Sequence, residues 1–456
     1  VRHVTLPYQS VQGRDVQGIE IARDVDATDD GRPTYFLMGV HHAREWPSAE
    51  SAMEFAHMLV QAKDGSGDER LQRLLDEARV VVVPIVNPDG FIASRDAAVS
   101  PGDMTGNGNV QTAEAIAPFG GTLAYRRKNC AGGLPSSAPC ELQWGVDPNR
   151  NYGNGWGGKG AGTDRNTQSY RGPGMWSEPE TQNVHEFSRN RPVTSLMTLH
   201  TVGALVLRPP GRGTDGLAPD ELQLKALGDA MGKATGWESQ YSFQLYDTSG
   251  TTEDWNYAAA GTMGYTIEIG PSGGGFHMPY ATGVVRQWEG APSGPTKGKG
   301  LREALILSAL ATLDETAHAV LDVTAPEGTT LKLRRDFVTK ASPVCTYAQG
   351  YVNSTAFEGL PEQARAVNCA APGTVGGQPQ QDDYLQYTAT VGPSGTLEWH
   401  VTQSTRPFVG WKIEDGQKVS TGAREPWKLT ATLPGGEVVS EDVFVERGER
   451  EKVVLG

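Results

Sequence analysis

The stretch TYFLMGVHHAREWPSAESAMEFAHMLVQA, residues 34–62, decides the fold. Its apolar beginning predicts a buried strand over residues 35–40, and the helical spacing of apolar residues toward its end predicts a helix over residues 46–62. Between these two elements stand four polar side chains: His41, His42, Arg44 and Glu45. Because polar and ionisable groups are costly to remove from water, their concentration beside a buried strand indicates a functional site.

Strands and helices continue to alternate over the first 320 or so residues. The run ARVVVVPI predicts a second buried strand over residues 79–86. Ser177, with Glu180 three residues later, predicts a capping box at a helix start, and residues 301–321 are expected to form a long helix. This alternation predicts an α/β fold with parallel strands. Two glycine-rich polar stretches predict long surface loops: residues 92–124 and 153–166.

The pattern changes after about residue 322. Segments such as TLKLRRDFV and WKLTATLP alternate apolar and polar residues and are separated by turn residues. This pattern predicts a small antiparallel β-sandwich over residues 330–456, joined by a linker at residues 323–329. A chain of 456 residues is long enough for two domains, of which residues 1–322 would be the larger.

Charge and hydropathy exclude some classes of partner. The formal net charge of −14 argues against a nucleic-acid partner. No stretch approaches 18 uninterrupted apolar residues, so we expect no membrane span. The chain does not begin with a basic segment followed by an apolar one, so we expect that, if the protein is exported, its signal has been removed from this chain. We expect a monomer.

The four cysteines fall into two local pairs, Cys130 with Cys140 and Cys345 with Cys369. Four cysteines allow three connectivities, and pairing by nearness would close a small loop in each half of the chain. No CxxC occurs, which argues against a cysteine zinc site or a thioredoxin-like motif. We therefore expect two disulfides and a secreted, extracellular protein.

His42 and Glu45 have a spacing that suits a metal ion. Two side chains three residues apart, at a turn entering a helix, meet on one face. Imidazole and carboxylate are ligands of catalytic zinc, which keeps three protein ligands and one open position. His200, at the end of the apolar run SLMTL, is the candidate third ligand. A lone HxxE motif more often has a structural role than a metal-binding one, so the spacing by itself does not establish a metal site.

Several further motifs carry a resemblance to a known family. In chain order they are HHAREWPS (41–48), VNPDGF (86–91), YRRKN (125–129), GVDPNRNY (145–152), LH (199–200), LYDTSGTTEDW (245–255) and GYTIEIG (264–270). Over roughly residues 15–320 the chain resembles the metallocarboxypeptidases of the carboxypeptidase A/B family. The resemblance implies a mixed, mostly parallel twisted sheet flanked by helices, and one Zn²⁺ per chain.

The resemblance also implies roles for individual residues. His42, Glu45 and His200 match the zinc ligands, and Asp147 matches an aspartate that orients the first histidine. Helical reach alone does not exclude His41 as a ligand, but the motif makes it either a structural residue or one that supports a ligand from outside. Arg127 matches the arginine that stabilises the oxyanion, which leaves its neighbour Arg126 as a solvated residue.

Glu268 lies in the apolar run TIEIG, where an unpaired carboxylate is expensive. One interpretation is a salt-bridged core glutamate. The resemblance implies instead a general base that takes a proton from metal-activated water, whose pKa zinc lowers to about 7.

The same comparison of motifs implies substrate contacts. Asn149 and Arg150 match the pair that binds the terminal carboxylate of the substrate, a task suited to a planar guanidinium. Tyr246 matches a mobile tyrosine that closes over the C-terminal residue. Arg44 matches an arginine near the peptide, with a surface salt bridge as the alternative.

Side-chain preference depends on the position before DW, which is Glu253 here. In the family this position forms the base of the side-chain pocket, and an acidic residue accompanies lysine or arginine. Leu207 and Gly211 would leave the pocket roomy enough for apolar residues too. A pairing of Glu253 with Arg208 would abolish the basic preference.

The function implied is a secreted zinc-dependent exopeptidase that removes single C-terminal amino acids from peptides or proteins. The alternatives are a cell-wall peptide hydrolase or amidohydrolase of the same family, and a non-catalytic peptide-binding protein. From the resemblance we expect the leading segment usual in the family to be absent from this chain. DMTGNGN (103–109) lacks the full pattern of a calcium loop, and His400, in the β-region, is expected to be structural.

Overall fold

The computed structural model describes residues 1–63, 65, 67–98, 123–131, 140, 144–294, 297–342, 344–347, 366–370 and 380–456. Most of the loop expected over residues 92–124, the DMTGNGN segment included, lies outside these residues. The described start of that stretch continues a helix to Ala98. The expected loop at 153–166 consists of turns and bends, without a helix.

An eight-stranded sheet forms the centre of the molecule. Its spatial order is β1-β2-β4-β3-β5-β8-β6-β7. The pairs β4–β3, β3–β5, β5–β8 and β6–β7 are parallel and the others antiparallel, which confirms a mixed, mostly parallel sheet. The strands are Arg2–Gln9 (β1), Asp15–Ile21 (β2), Thr34–Met38 (β3), Arg79–Val83 (β4), Val193–Thr201 (β5), Leu205–Arg208 (β6), Glu238–Tyr241 (β7) and Met263–Ile269 (β8).

Helices flank this sheet. They are Trp46–Lys63 (α1), Glu69–Glu77 (α2), Pro88–Ala98 (α3), Pro179–Arg189 (α4), Glu221–Thr235 (α5), Ser242–Leu245 (α6), Thr252–Ala260 (α7), Arg286–Glu289 (α8), Gly300–Leu310 (α9) and Pro407–Gly410 (α10). A π-helical turn, Ala281–Val285, precedes α8. The helix predicted over residues 46–62 is confirmed as α1.

Two helix predictions are wrong in detail. The helix expected over 301–321 ends at Leu310, where a 3₁₀ turn, Ala311–Leu313, follows; the Asp314 side chain then accepts a hydrogen bond from the Thr316 amide and starts a second short turn. The capping box of Ser177 and Glu180 does not form. Helix α4 begins at Pro179, the Ser177 hydroxyl donates to Glu178, and Glu180 accepts from the Asn129 amide.

The C-terminal unit, residues 319–456, is built from small sheets. A four-stranded sheet has the order β13-β10-β17-β18 and a three-stranded sheet the order β14-β9-β19, with two hairpins, β11–β12 and β15–β16. The strands are Ala319–Thr324 (β9), Thr330–Lys340 (β10), Val344–Tyr347 (β11), Ala366–Ala370 (β12), Gln380–Thr390 (β13), Thr396–Val401 (β14), Trp411–Glu414 (β15), Gln417–Ser420 (β16), Trp427–Thr432 (β17), Val438–Val443 (β18) and Arg450–Val454 (β19).

Two expectations about this region need correction. Strand β9 begins at Ala319 and pairs with β14 and β19, so the expected linker at 323–329 overlaps a strand. We therefore propose a boundary near residue 319 rather than 330. The pairing is not purely antiparallel, because β19 runs parallel to β9. His400, in β14, contacts His318 at 2.8 Å and Glu398 at 3.1 Å.

The core has two halves, one on each face of the central sheet. Successive residues of a strand point to opposite faces, so Phe36 and Val81 belong to one half and Tyr35 and Val80 to the other. The first half continues into the apolar residues of the C-terminal unit, such as Leu333. The unit thus packs directly against the larger part of the chain.

A disulfide joins Cys130 to Cys140, as predicted. The β11–β12 register places Cys345 opposite Cys369, and the second disulfide stays a prediction. No helix of the described residues is long and apolar enough to cross a membrane.

Candidate active site

Three candidate metal ligands meet at the carboxyl edge of the central sheet. His42 and Glu45 lie in the turn between β3 and α1, and His200 lies near the end of β5, the strand beside β3. The Nδ1 atoms of His42 and His200 are 3.0 Å apart. Both lie within hydrogen-bonding distance of the Glu45 carboxylate, His42 Nδ1 at 2.7 Å and His200 Nδ1 at 2.9 Å. Parallel strands end at one edge, which is why residues 155 positions apart in the chain come together.

The chemistry of this donor set fits zinc. All three side chains are buried, and their ligand atoms lie within 4.8 Å of one another. Burial lowers the pKa of His200, which favours the neutral imidazole that a metal requires. Burial alone would raise the pKa of Glu45, but the two imidazoles outweigh burial and lower it, so the group is a carboxylate. Two imidazoles and one carboxylate are a ligand set of catalytic zinc.

Asp147 links the ligand cluster to Arg127. One of its carboxylate oxygens is 3.2 Å from His42 Nε2, and the other accepts a 2.7 Å hydrogen bond from Arg127 Nε. The first oxygen also accepts from the Asn149 amide at 3.0 Å, within the short turn Pro148–Arg150. Arg127 and His42 outweigh the effect of burial and hold the pKa of Asp147 well below its usual range. An anionic partner at Nε2 leaves Nδ1 of His42 as the lone-pair donor.

His41 points away from the cluster. Its Nε2 lies 2.9 Å from the Tyr152 hydroxyl and its Nδ1 lies 3.1 Å from Thr198 Oγ1. Thr198 Oγ1 is also 3.2 Å from His200 Nε2. His41 therefore contacts a group that supports a ligand rather than the ligand centre.

The prediction that Arg126 is solvated is wrong. Arg126 is buried, and it donates to the backbone carbonyls of Lys128, Asn129 and Trp144. Burial lowers its pKa to about 10. Arg127 is the neighbour that reaches the cluster, with Nη1 at 4.0 Å from Glu45.

Glu268 lies on β8, directly opposite His200 in the strand register. Burial, and next the Glu45 carboxylate, raise its pKa to about 8. Within the part of the chain that the structure describes, no ion pair of Glu268 occurs within 4.0 Å, so a salt-bridged core role lacks a partner. The charges of Arg127 and Arg150 act to lower the pKa of Glu268 but offset only part of this increase.

Asn149, Arg150 and Tyr246 form a second group beside the cluster. Arg150 donates to the carbonyls of Gly160 at 2.9 Å and of Asn149 at 2.6 Å. Its guanidinium carbon lies 5.9 Å from the centre of the Tyr246 ring, and Tyr246 is 49% exposed. Asn149 Oδ1 accepts from the Thr252 amide at 3.2 Å, which connects the group to the start of α7.

Glu253 lies in the first turn of α7 and is buried. Burial is the main cause of its raised pKa. Its Oε2 has no hydrogen-bond partner among the described residues. Arg208 binds Glu221 at 2.8 Å instead, so the pairing that would abolish a basic preference does not form.

The expectation that Gly211 leaves open space is wrong. A Cβ there would lie 2.4 Å from Thr248 Oγ1 and 2.5 Å from Asp254 Oδ2, so neighbouring side chains occupy that space. Asp254 accepts from the Gly211 amide at 3.0 Å, and burial raises its pKa well above the usual range. Leu207 is buried. Sequence reasoning did not single out Asp254.

Arg44 lies at the other end of the site. Its guanidinium carbon is 4.1 Å from the centre of the Phe276 ring, and Nη1 donates to the Tyr125 carbonyl at 3.3 Å.

Sequence reasoning missed Thr198 and Tyr152, which support His41 and His200. Thr198 stands two residues before His200, and the period of a strand places both on one face. That signal was present in the sequence.

Comparison with known proteins points to one family. A family profile described as zinc carboxypeptidase matches residues 3–290. Carboxypeptidase B of Helicoverpa zea is 27% identical over 313 residues, which cover 64% of this chain and 65% of that protein. Carboxypeptidase A1 of Homo sapiens is 26% identical over 257 residues, covering 54% of each chain. The match thus spans less than two thirds of these relatives.

A solved structure shows the same fold. Carboxypeptidase A from Helicoverpa armigera superposes with a TM-score of 0.51 at 21% identity, covering 69% of each chain. At that identity the likeness concerns the fold alone. It agrees with the mixed sheet and the flanking helices described above.

Proposed function

Because the chain belongs to the zinc carboxypeptidase family, we propose that it removes single C-terminal amino acids from peptides. The observation that carries this proposal is the convergence of His42, Glu45 and His200 next to Glu268 and Arg127. A non-catalytic binding protein would not need this ligand set together with a partly exposed carboxylate and a cation beside it. The disulfide between Cys130 and Cys140 supports a secreted protein.

Zinc, when bound by His42, Glu45 and His200, acts as a Lewis acid toward water and the scissile carbonyl. The side chains of the protein transfer the proton and stabilise the oxyanion. Glu268 accepts the proton of the attacking water and passes it to the leaving amine, a task that its raised pKa suits. Arg127 carries a fixed positive charge that stabilises the oxyanion. Asp147 accepts a hydrogen bond from Arg127 Nε and so holds the guanidinium in place.

The second group of residues explains why only the last residue is removed. Asn149 and Arg150 would bind the terminal carboxylate of a substrate, and the exposed Tyr246 ring would close over it. A site that binds a free carboxylate accepts the end of a peptide and spares internal bonds. This arrangement favours an ordinary peptide C-terminus over the substrates of a cell-wall hydrolase or amidohydrolase.

We assign the side-chain preference to Glu253. Its buried carboxylate has one oxygen without a hydrogen-bond partner among the described residues, and Arg208 is already paired with Glu221. The ammonium of a lysine or the guanidinium of an arginine would supply that partner. A charge-assisted hydrogen bond of this kind contributes about 1.5–3 kcal/mol, so basic C-terminal residues are preferred and apolar ones are accepted less well.

Blocked dipeptides that end in Arg, Lys, Phe, Leu or Glu test this function. The protein should release Arg and Lys fastest, and a chelator should abolish release. Glu253→Gln should lower kcat/KM for Arg and Lys by roughly 10–100-fold and leave Phe and Leu within about threefold. Glu303→Gln, which changes a carboxylate bound to Arg70 outside the site, is the matched control. Release of Phe and Leu alone would overturn the assignment of Glu253, and no release by zinc-loaded protein would overturn the function.

A further inference from the structure

Helix α7 carries Glu253 into the pocket, so whatever holds α7 sets the position of that carboxylate. The helix has nine residues, Thr252–Ala260, and Glu253 is its second. Nearly all of its side chains are buried. At 1.5 Å per residue such a helix is about two and a half turns long. A short helix of this kind moves as a unit, so contacts at its far end act on Glu253.

Arg335, of strand β10, holds the C-terminal end of α7. One of its terminal nitrogens donates to the Ala259 carbonyl. The other donates to the carbonyls of Gln403, at 2.8 Å, and Ser404. The last carbonyls of a helix lack partners within the helix, and a cation near them is favoured by the helix dipole. Arg335 thereby joins α7 to the segment that follows β14.

The environment of Arg335 makes this contact specific. The side chain is 3% exposed, and its guanidinium carbon lies 4.7 Å from the centre of the Trp427 ring. Burial lowers its pKa to about 10, so it remains charged at neutral pH. Among the described residues, every hydrogen bond that it donates ends on a backbone carbonyl. A guanidinium with this geometry orients backbone rather than neutralising an acid.

A second arginine of the C-terminal unit extends the contact beyond the helix. Arg447 donates to the carbonyl of Gly261, the residue that ends α7, and to the carbonyl of Ala317. It also pairs with Asp220 at 3.2 Å. Asp220 in turn accepts from the hydroxyl of Tyr257, a residue of α7, at 3.0 Å.

The first turns of α7 are held as well. Trp255, two residues after Glu253, donates from Nε1 to Thr339 Oγ1 at 3.3 Å. Thr339 donates to Asp383 Oδ2 at 2.8 Å, and the other oxygen of Asp383 is 3.0 Å from His185 Nε2. Thr339 and Asp383 belong to β10 and β13 of the C-terminal unit. The unit therefore contacts α7 along its whole length.

From these contacts we infer that the C-terminal unit is part of the specificity site, with Arg335 as the positioning residue that fixes α7 and hence Glu253. The inference rests on the proposed role of Glu253. Arg335 touches no reacting atom and acts only through the helix. Misplacement of a binding group by about 1 Å can cost up to 10²-fold, so we expect a loss of about tenfold when the contact with Ala259 is removed.

The test compares Arg335→Met with Arg334→Met, a neighbouring arginine that pairs with Asp336 at 2.6 Å. The activity readout is the ratio of kcat/KM for the best substrate to that for the same dipeptide ending in glycine, which has no side chain to place in the pocket. Arg335→Met should lower this ratio about tenfold, mainly through KM, and Arg335→Lys should restore part of it. Arg334→Met should leave it unchanged. An equal loss on both substrates would overturn the inference.

Hydrogen exchange of the α7 amides is an independent readout. Arg335→Met should speed exchange over residues 252–260, and unchanged exchange there would overturn the inference. This result does not need an active enzyme, so it separates the inference from the proposed function, which fails if wild type releases no C-terminal residue. If Arg335→Met does not fold, Thr339→Val replaces it, because this change keeps the side-chain volume but removes the hydroxyl that accepts from Trp255 Nε1. The same two measurements apply to it: the ratio of kcat/KM values and hydrogen exchange over residues 252–260.

Discussion

Asp147→Asn is the sharpest test of how the site is held together. The Asp147 carboxylate is 3.2 Å from His42 Nε2, accepts from Arg127 Nε at 2.7 Å and accepts from the Asn149 amide at 3.0 Å. Asparagine keeps the shape and one acceptor oxygen. Its amide nitrogen cannot accept from Arg127, and it brings no negative charge to His42. One substitution therefore weakens both a metal ligand and the oxyanion group.

The magnitude follows from these two losses. A carboxylate behind a metal-binding histidine is worth about 10–100-fold in metal affinity, or roughly 1.4–2.7 kcal/mol. Removing a donor to the oxyanion costs about 10²–10³ in kcat. Arg127 is displaced by the substitution rather than deleted, so we expect kcat at saturating zinc to fall about 10²-fold. We expect the zinc dissociation constant to rise 10–100-fold.

Zinc affinity is measured by competition with a chelator, and kcat at saturating zinc with the best dipeptide. Asp89→Asn is the control, because Asp89 is another buried aspartate and pairs with Arg14 at 2.7 Å, outside the ligand cluster. It should destabilise the fold and leave zinc affinity unchanged. If Asp147→Asn binds zinc within about twofold of wild type, and its kcat is likewise unchanged, the reasoning about Asp147 is refuted.

Two further predictions concern a half-buried carboxyl group, Glu268, and a buried one, Glu180. Glu268→Gln should lower kcat by about 10²–10⁴-fold while zinc content, measured by metal analysis, stays at wild-type level; a loss below tenfold would contradict its role as the general base. Burial, and next Glu178, raise the pKa of Glu180 from 4.5 to about 8, so the folded state binds this proton more tightly than the unfolded state. The stability that this proton contributes is complete below pH 4.5 and is lost as pH rises through 8. Glu180→Gln should therefore be more stable than wild type at pH 9, by on the order of a few kcal/mol at about 1.4 kcal/mol per pKa unit, and equal to it near pH 4; urea unfolding at both pH values measures this, and equal stability at pH 9 would contradict the burial argument.

Much of the fold was predictable because it depends on local pattern. Apolar runs in β3 and β4 and the helical spacing in α1 were sufficient, since burial of one face imposes the period of each element. Predictions failed where a side chain contact decided an element end. The α-helix after Gly300 ends at Leu310 and gives way to two short 3₁₀ turns, the second of which Asp314 caps. The Glu180 side chain accepts a hydrogen bond from Asn129 and does not cap its own helix.

The sequence by itself determined the chemistry of the site. His42, Glu45, His200 and Glu268 are recognisable because their motifs resemble those of the zinc carboxypeptidases, and residue type decides what a group can ligate or protonate.

Only the tertiary structure decided which charged side chains contact one another and which of two adjacent residues reaches the site. Arg126 is buried among carbonyls while Arg127 reaches Asp147, and Arg208 pairs with Glu221 rather than with Glu253. It also decided that Arg335, 82 positions after Glu253 in the numbering of the chain, holds the helix on which Glu253 stands. The physical reason is that hydrogen bonds and charges act over a few ångströms in space, and the packing of distant strands and helices determines which groups come that close.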